Sequence, residues 1–273
     1  MTPPPPPPRR PVCVTGAGGF TGSWLVKLLL SRGYAVHATL RDPVSSCAAS
    51  SCMWVSLSFS WFLKQMENAP ENLRLFKADV LDGGSLTAAF AGCEGVFHPA
   101  TPVPEHKTVD PEKEMLAPAV KGTRNVLEAC SAASVQKLVV VSSICAVCFN
   151  PSLPRDRLID ETCWSDKKSC KENENWYCLA KTEAEEMALE YSEKNGLHVI
   201  TCIMYDKSGP CERLVDVGNK VELTSEKPKK LGWKPRKLEE TLADSVESYK
   251  KAGLVDDEPC RLPHVYRMPD TQE

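Results

Sequence analysis

The sequence has no surplus of positive charge: 33 Lys+Arg stand against 36 Asp+Glu in 273 residues, a net charge of −3. Neutralising a phosphate backbone and releasing its counterions needs a basic surface, so general nucleic-acid binding is excluded. Histidine is scarce, at five residues, and Cys145 and Cys148 form a single C-x-x-C with no second pair and no histidine set beside it. Structural zinc needs four such ligands, so no metal site is expected. No export h-region precedes the first apolar run either. The 13 cysteines are odd in number and scattered, which speaks for reduced thiols in a cytoplasmic protein and against a disulfide framework.

One stretch, Pro43 to Leu63, lacks charge altogether, yet it holds seven serines, and Val55, Leu57, Phe59 and Trp61 alternate with Ser56, Ser58 and Ser60. A membrane span is more uniformly apolar than this. The period of two predicts a half-buried strand or a sticky loop, and no membrane partner is expected.

What is there begins with a tail. Pro3 to Pro8 are consecutive prolines closed by Arg9 and Arg10; they have no backbone donors and favour a solvated polyproline helix, so residues 1–11 are expected to be a disordered tail. From Val12 the pattern becomes short apolar runs alternating with helix-length amphipathic stretches. Strands are expected at Val12 to Thr15, Ala35 to Leu40, Leu73 to Ala78, Gly95 to His98, Leu138 to Ser142 and His198 to Met204. Helices are expected at Trp24 to Ser31, with Trp24, Leu25, Leu28 and Leu29 as its apolar residues, and at Ser85 to Ala91, Ala117 to Ala133, Asn175 to Lys194 and Leu238 to Lys251. Alternating strands and helices force crossover connections, hence an α/β fold with a doubly wound parallel sheet. After Tyr205 the alternation stops. The expected division is therefore a dinucleotide-binding domain over 12–205, with 44–62 as an atypical insertion, followed by 206–273 as the remnant of a substrate domain.

Between the first strand and the first helix lies Thr15-Gly16-Ala17-Gly18-Gly19-Phe20-Thr21-Gly22. Glycines at 16, 19 and 22 allow a tight turn, a close approach of backbone amides to a pyrophosphate, and close packing of helix on sheet. Gly16, Gly18, Gly19, Phe20, Thr21 and Gly22 are thus the expected cradle of a dinucleotide. The second strand ends in Leu40-Arg41-Asp42, where an NAD site would place an acidic residue on the ribose. A cation at Arg41 instead pairs with a 2′-phosphate and favours NADP. Asp79 and Val80 close the third strand; Asp79 is open to two readings, an acceptor for the adenine amino group or a helix cap.

Tyr177 and Lys181 stand four residues apart on an expected helix, so both project from one face. A neighbouring ammonium stabilises a phenolate and makes the tyrosine a usable acid or base for a carbonyl oxygen. Ser142 and Ser143 end an apolar strand, where ligands of open α/β sheets bind, and a serine hydroxyl there can hold the substrate oxygen.

The glycine loop, Val141-Ser142-Ser143 and Tyr177 with Lys181 together resemble the extended short-chain dehydrogenase/reductases. Asn175-Trp176-Tyr177-Cys178-Leu179-Ala180-Lys181, Arg41-Asp42-Pro43, Phe76-Lys77-Ala78-Asp79 and Leu231-Gly232-Trp233-Lys234-Pro235 are similar to the plant cinnamoyl-CoA reductase and dihydroflavonol reductase group. The resemblance implies an NADPH-dependent reductase in which Tyr177 donates the proton, Lys181 holds the nicotinamide ribose and tunes Tyr177, and Ser143 positions the carbonyl. It places Pro99, Ala100 and Thr101 along the cofactor. It implies a small-molecule substrate, a hydroxycinnamoyl-CoA or related carbonyl; in a cinnamoyl-CoA reductase, hydride reaches the thioester carbonyl and the adduct expels CoA.

The sequence also departs from that group. Thr21 and Cys145 replace an aliphatic residue and a glycine, and Pro99 stiffens the strand-end segment. The uncharged stretch 44–62 replaces a shorter charged one. Beyond Tyr205 a segment the size of a small domain is absent relative to the group, which leaves a second expectation, a chain that binds dinucleotide without a competent substrate site. A third, an NAD-dependent epimerase or dehydratase, is disfavoured by Arg41.

Overall fold

The computed structural model describes residues 10–41, 60–101, 109–154, 157–204, 224–234 and 236–251. Six parallel strands, β1 (Val12–Val14), β2 (Val36–Leu40), β3 (Leu73–Lys77), β4 (Gly95–His98), β5 (Lys137–Ser143) and β6 (His198–Met204), form one sheet in the order β3-β2-β1-β4-β5-β6. The chain starts at β1, builds outward to β3, then crosses back and builds from β4 to β6. That reversal opens a crevice over the carboxyl ends of β1 and β4, where open α/β sheets take their ligands. Register aligns Val14 with Ala38 and with Phe97, so Thr15, Thr39 and His98 emerge together at its floor.

The helices are α1 (Phe20–Ser31), α2 (Ala69–Asn72), α3 (Gly83–Phe90), α4 (Ala117–Ala132, entered through a π-helical turn at Glu112–Leu116), α5 (Lys167–Glu172), α6 (Trp176–Asn195), α7 (Glu226–Lys230) and α8 (Leu238–Lys251). The strand pleat sends Cys13 into one core with Leu86, Phe90, Leu127 and Leu138, and Val12 and Val14 into another with Val26, Leu29 and Leu30. With both faces covered, the strands read as near-continuous apolar runs.

Two expectations need correction. The first helix starts at Phe20, not Trp24, and its buried face is Gly22, Ser23, Val26, Leu29 and Leu30, with Leu28 exposed. Close packing at Gly22 sets that face, since 22, 26, 29 and 30 follow the helical period. The alternation ending at Trp61 does not finish as a strand: residues 60–64 are helical, and Leu63 is buried against the core that Ala69 and α1 share. The short helix α5 went unpredicted; Asp166 caps it by accepting from the Ser169 N–H at 2.7 Å.

Contacts divide the chain into the units Met1–Lys227 and Pro228–Glu273. Within the second, Arg236 pairs with Asp244 of α8 at 2.7 Å. Among the described residues no helix is long and apolar enough to cross a membrane. The proline tail through Arg9, most of the charge-free stretch, and Tyr205 with the segment after it lie outside the described residues.

Candidate functional site

The chain must turn from β1 into α1 within a few residues. Gly16 makes that turn at φ +60°, where a Cβ would stand 2.9 Å from the Ala100 Cβ; a Cβ on Gly22 would come within 2.3 Å of the Gly16 carbonyl oxygen. Any side chain at either place must displace its neighbours. Gly19 is the N-cap of α1 and supplies no capping side chain, so the leading amides of a 12-residue helix face the crevice beside Gly18, Phe20 and Thr21. Thr39 holds the loop from β2: the Gly16 N–H donates to its Oγ1 at 3.2 Å and the Ala17 N–H to its carbonyl at 3.0 Å. Thr39 went unnoticed in the sequence; its signal was a hydroxyl inside an otherwise buried strand.

Arg41 follows β2 directly and is exposed at the strand end; Asp42 lies outside the described residues. At the end of β3, the cap of α3 is Asp82, whose Oδ1 accepts from the Gly84 N–H at 3.1 Å. The helix-cap reading of Asp79 is therefore corrected. Its Oδ1 instead accepts from the Leu81 N–H at 2.9 Å in a local turn. Val80 packs under α4: its carbonyl accepts from Asn125 Nδ2 at 2.8 Å, and its Cγ2 is 3.1 Å from the position of a Gly122 Cβ.

Beyond β4, Pro99, Ala100 and Thr101 run over the glycine loop. Ala100 abuts Gly16, and Thr101 Oγ1 accepts from Lys181 Nζ at 2.8 Å. Tyr177, one turn earlier on α6, is 36% exposed, whereas Lys181 is only 8% exposed, and the ammonium stands 5.9 Å from the Tyr177 ring centre. Burial holds the Lys181 pKa below its ordinary value, opposed by nearby Cys145 and Glu185.

The two serines ending β5 are separated by the pleat. Ser142 is buried and donates to the carboxylate of Glu185, itself 3% exposed. Ser143 stands at the tip, where its Oγ accepts from the Cys145 N–H at 3.3 Å and caps the 3-10 turn Ile144–Ala146 on which α6 packs. His98 lines the same cavity as Ser142 and shares a 2.8 Å hydrogen bond with Thr15 Oγ1; burial, with Lys181 nearby, brings its pKa down to about 3, so the ring is neutral. The C-x-x-C also finds its neighbour here: Cys145 and Cys148 hydrogen-bond to the Cys178 thiol, none of the three being in a disulfide, and these bonds with burial push its pKa up. Glu185 and Cys178 both escape sequence reading, because each meets its partner only through the fold.

Residues 12–225 match the NAD dependent epimerase/dehydratase family. The chain belongs to this family. Within the epimerase/dehydratase family, it is 47% identical over 199 residues to cinnamoyl-CoA reductase 1 of Oryza sativa subsp. japonica, covering 73% of this chain and 54% of the rice protein. Vestitone reductase from alfalfa (Medicago sativa) superposes with a TM-score of 0.57 at 34% identity, over 72% of this chain and 56% of that one. Gre2 from Candida albicans, in complex with NADPH, does so with a TM-score of 0.57 at 27% identity, over 71% and 56%. The chain spans about half the length of the curated relatives it matches. The likeness to plant cinnamoyl-CoA reductases and the doubly wound parallel sheet, both expected from the motifs, are met.

Proposed function

We propose that the chain is an NADP-dependent carbonyl reductase of the cinnamoyl-CoA reductase type. The observation that carries this reading is the Lys181–Thr101 hydrogen bond, which joins the helix bearing Tyr177 to the segment that closes the glycine cradle. The cradle fits a dinucleotide: Gly16 and Gly22 exclude side chains, and the α1 N-terminus offers amides and a positive dipole end to a pyrophosphate. Arg41, a permanently charged fork at the end of β2, is the group for a 2′-phosphate.

A bound nicotinamide dinucleotide would supply the hydride. Everything else falls to the protein. Lys181 holds the ribose and keeps its charge beside Tyr177; Tyr177 Oη delivers the proton to the substrate oxygen; Ser143 Oγ donates to that same oxygen and orients it. The half-exposed phenol over a buried ammonium suits this division, since the proton donor must reach the substrate while its tuning charge stays desolvated. The substrate class is a phenylpropanoid-like carbonyl or CoA thioester, in keeping with the relatives' names.

Calorimetric titration with NADPH and NADH tests the reading, followed by NADPH oxidation with a hydroxycinnamoyl-CoA. Binding of NADPH in preference to NADH, with turnover, supports it; no binding of either overturns it. A second reading is a chain that binds the dinucleotide without turnover, since the glycine cradle by itself accounts for binding. Stabilisation by NADPH with no oxidation selects that reading.

A further inference from the structure

Glu185 has no part in the proton transfer just described, yet it is among the most deeply buried charged side chains described, at 3% exposure. It sits one helical turn beyond Lys181 on α6, and its carboxylate is fixed from the sheet by Ser142 at the end of β5. A carboxylate so far from water is costly unless a cation faces it, and a serine hydroxyl needs no charged acceptor. Glu185 and Lys181 line one cavity of about 20 Å³ together with His98, Thr101, Thr123 and Ser142. Lys181 is the cation in that lining, because His98 is neutral.

We propose that Glu185 is the positioning residue for Lys181: its carboxylate, anchored by Ser142 across the shared cavity, is the counter-charge that holds the buried ammonium directed to Thr101 beside Tyr177. The inference rests on the reading of Tyr177 and Lys181 as the proton-transfer pair. The groups that face this centre are Tyr177 and Glu185 on α6, His98 at the end of β4, Cys145 in the 3-10 turn, and Cys202 on β6, whose thiol burial and the Glu185 charge both push up. Burial keeps the His98 imidazole neutral and pushes the Cys202 thiol up, so Glu185 is the carboxylate in that set. Without it, burial acts on Lys181 with Cys145 alone in opposition, the ammonium deprotonates at lower pH, and Tyr177 loses its tuning charge there.

The test is the titration of the Lys181 13Cε resonance in the full chain without cofactor, comparing wild type with Glu185→Gln and Glu185→Asp. An amide at 185 still accepts from Ser142, so Glu185→Gln removes charge and keeps the hydrogen bond. The Lys181 midpoint is expected to fall by about one pH unit or more in Glu185→Gln and to stay near wild type in Glu185→Asp. The basic limb of the kcat/KM profile moves to lower pH in parallel. An unchanged midpoint in folded Glu185→Gln overturns the proposal and leaves Glu185 a plain hydrogen-bond acceptor. Should that variant not fold, the wild-type Glu185 13Cδ resonance reads the same coupling: movement at the Lys181 midpoint supports the proposal, and a flat response overturns it. Failure to bind NADPH would sink the reductase reading alone, since the Lys181 midpoint is measured without it.

Discussion

Lys181 Nζ donates to Thr101 Oγ1 at 2.8 Å, so the helix that carries Tyr177 is tied to the same short stretch that presses Ala100 against Gly16. The helix bearing Tyr177 and the glycine loop are therefore coupled through residues 100 and 101. Replacing Thr101 by Val leaves a buried ammonium without this acceptor. The expected outcome is a loss of about 1.5–3 kcal/mol of stability in urea unfolding, the worth of a hydrogen bond to a charged group, with weaker NADPH binding. Unchanged stability and affinity would show that the bond does not organise the site.

Gly22→Ala and Gly19→Ala separate packing from ligand approach. A Cβ at 22 meets backbone atoms at 2.3 and 2.9 Å, which no rotamer change relieves, whereas at 19 the nearest atom is 3.4 Å away. Gly22→Ala is expected to cost about 1–3 kcal/mol of stability through overpacking. Gly19→Ala keeps its stability to within about 0.5 kcal/mol and loses NADPH affinity, because the new methyl stands over the α1 N-terminus. Differential unfolding and calorimetric titration distinguish the two.

Arg41→Ala tests the choice of dinucleotide. A charge-assisted hydrogen bond to a phosphate is expected to contribute about 1.5 kcal/mol, so NADPH affinity falls roughly tenfold while NADH affinity holds. Equal losses for both cofactors would assign Arg41 to something other than the 2′-phosphate.

His98 predicts a pH dependence of stability. Burial brings its folded pKa down to about 3, below the ordinary histidine value, so as pH falls the unfolded chain takes up the proton first. Its contribution is complete above about pH 6.5 and is lost toward pH 3, at up to about 1.4 kcal/mol per pH unit. Asp160 and Asp166, held below their ordinary range by hydrogen bonds, act only at lower pH. Urea midpoints at pH 7 and pH 5 should therefore differ in wild type and converge in His98→Asn. An equal difference in both chains would remove His98 as the cause.

The glycine loop and the Tyr177–Lys181 spacing were legible in the sequence because local geometry demands those residue types: only glycine tolerates the turn at 16 and the contact at 22, and a helix brings i and i+4 together. The rest depends on contacts distant in sequence. Glu185 sits in the run Glu183-Ala184-Glu185-Glu186, which reads as a solvated face; its burial appears only when Ser142, 43 residues earlier, arrives from β5. Cys178 likewise meets Cys145 and Cys148 through the packing of α6 on the 3-10 turn. Asp79 and Asp82 are both fit to cap α3, and the start of the helix at Gly83 decides between them. At Trp61 the serine alternation imitated a strand, while burial of Leu63 against α1 enforced a helical turn.

The central claim, that Tyr177 and the glycine cradle form one working site in this chain, is tested most directly by following hydride. NADPH deuterated at C4 of the nicotinamide, prepared as each of its two epimers, is incubated with a hydroxycinnamoyl-CoA and the chain, and the product is read by mass spectrometry. The account predicts deuterium in the product from one epimer with wild type, and a rate about 10²–10⁴-fold lower in Tyr177→Phe with NADPH affinity retained. Deuterium-free product, or equal rates in wild type and Tyr177→Phe, would contradict it.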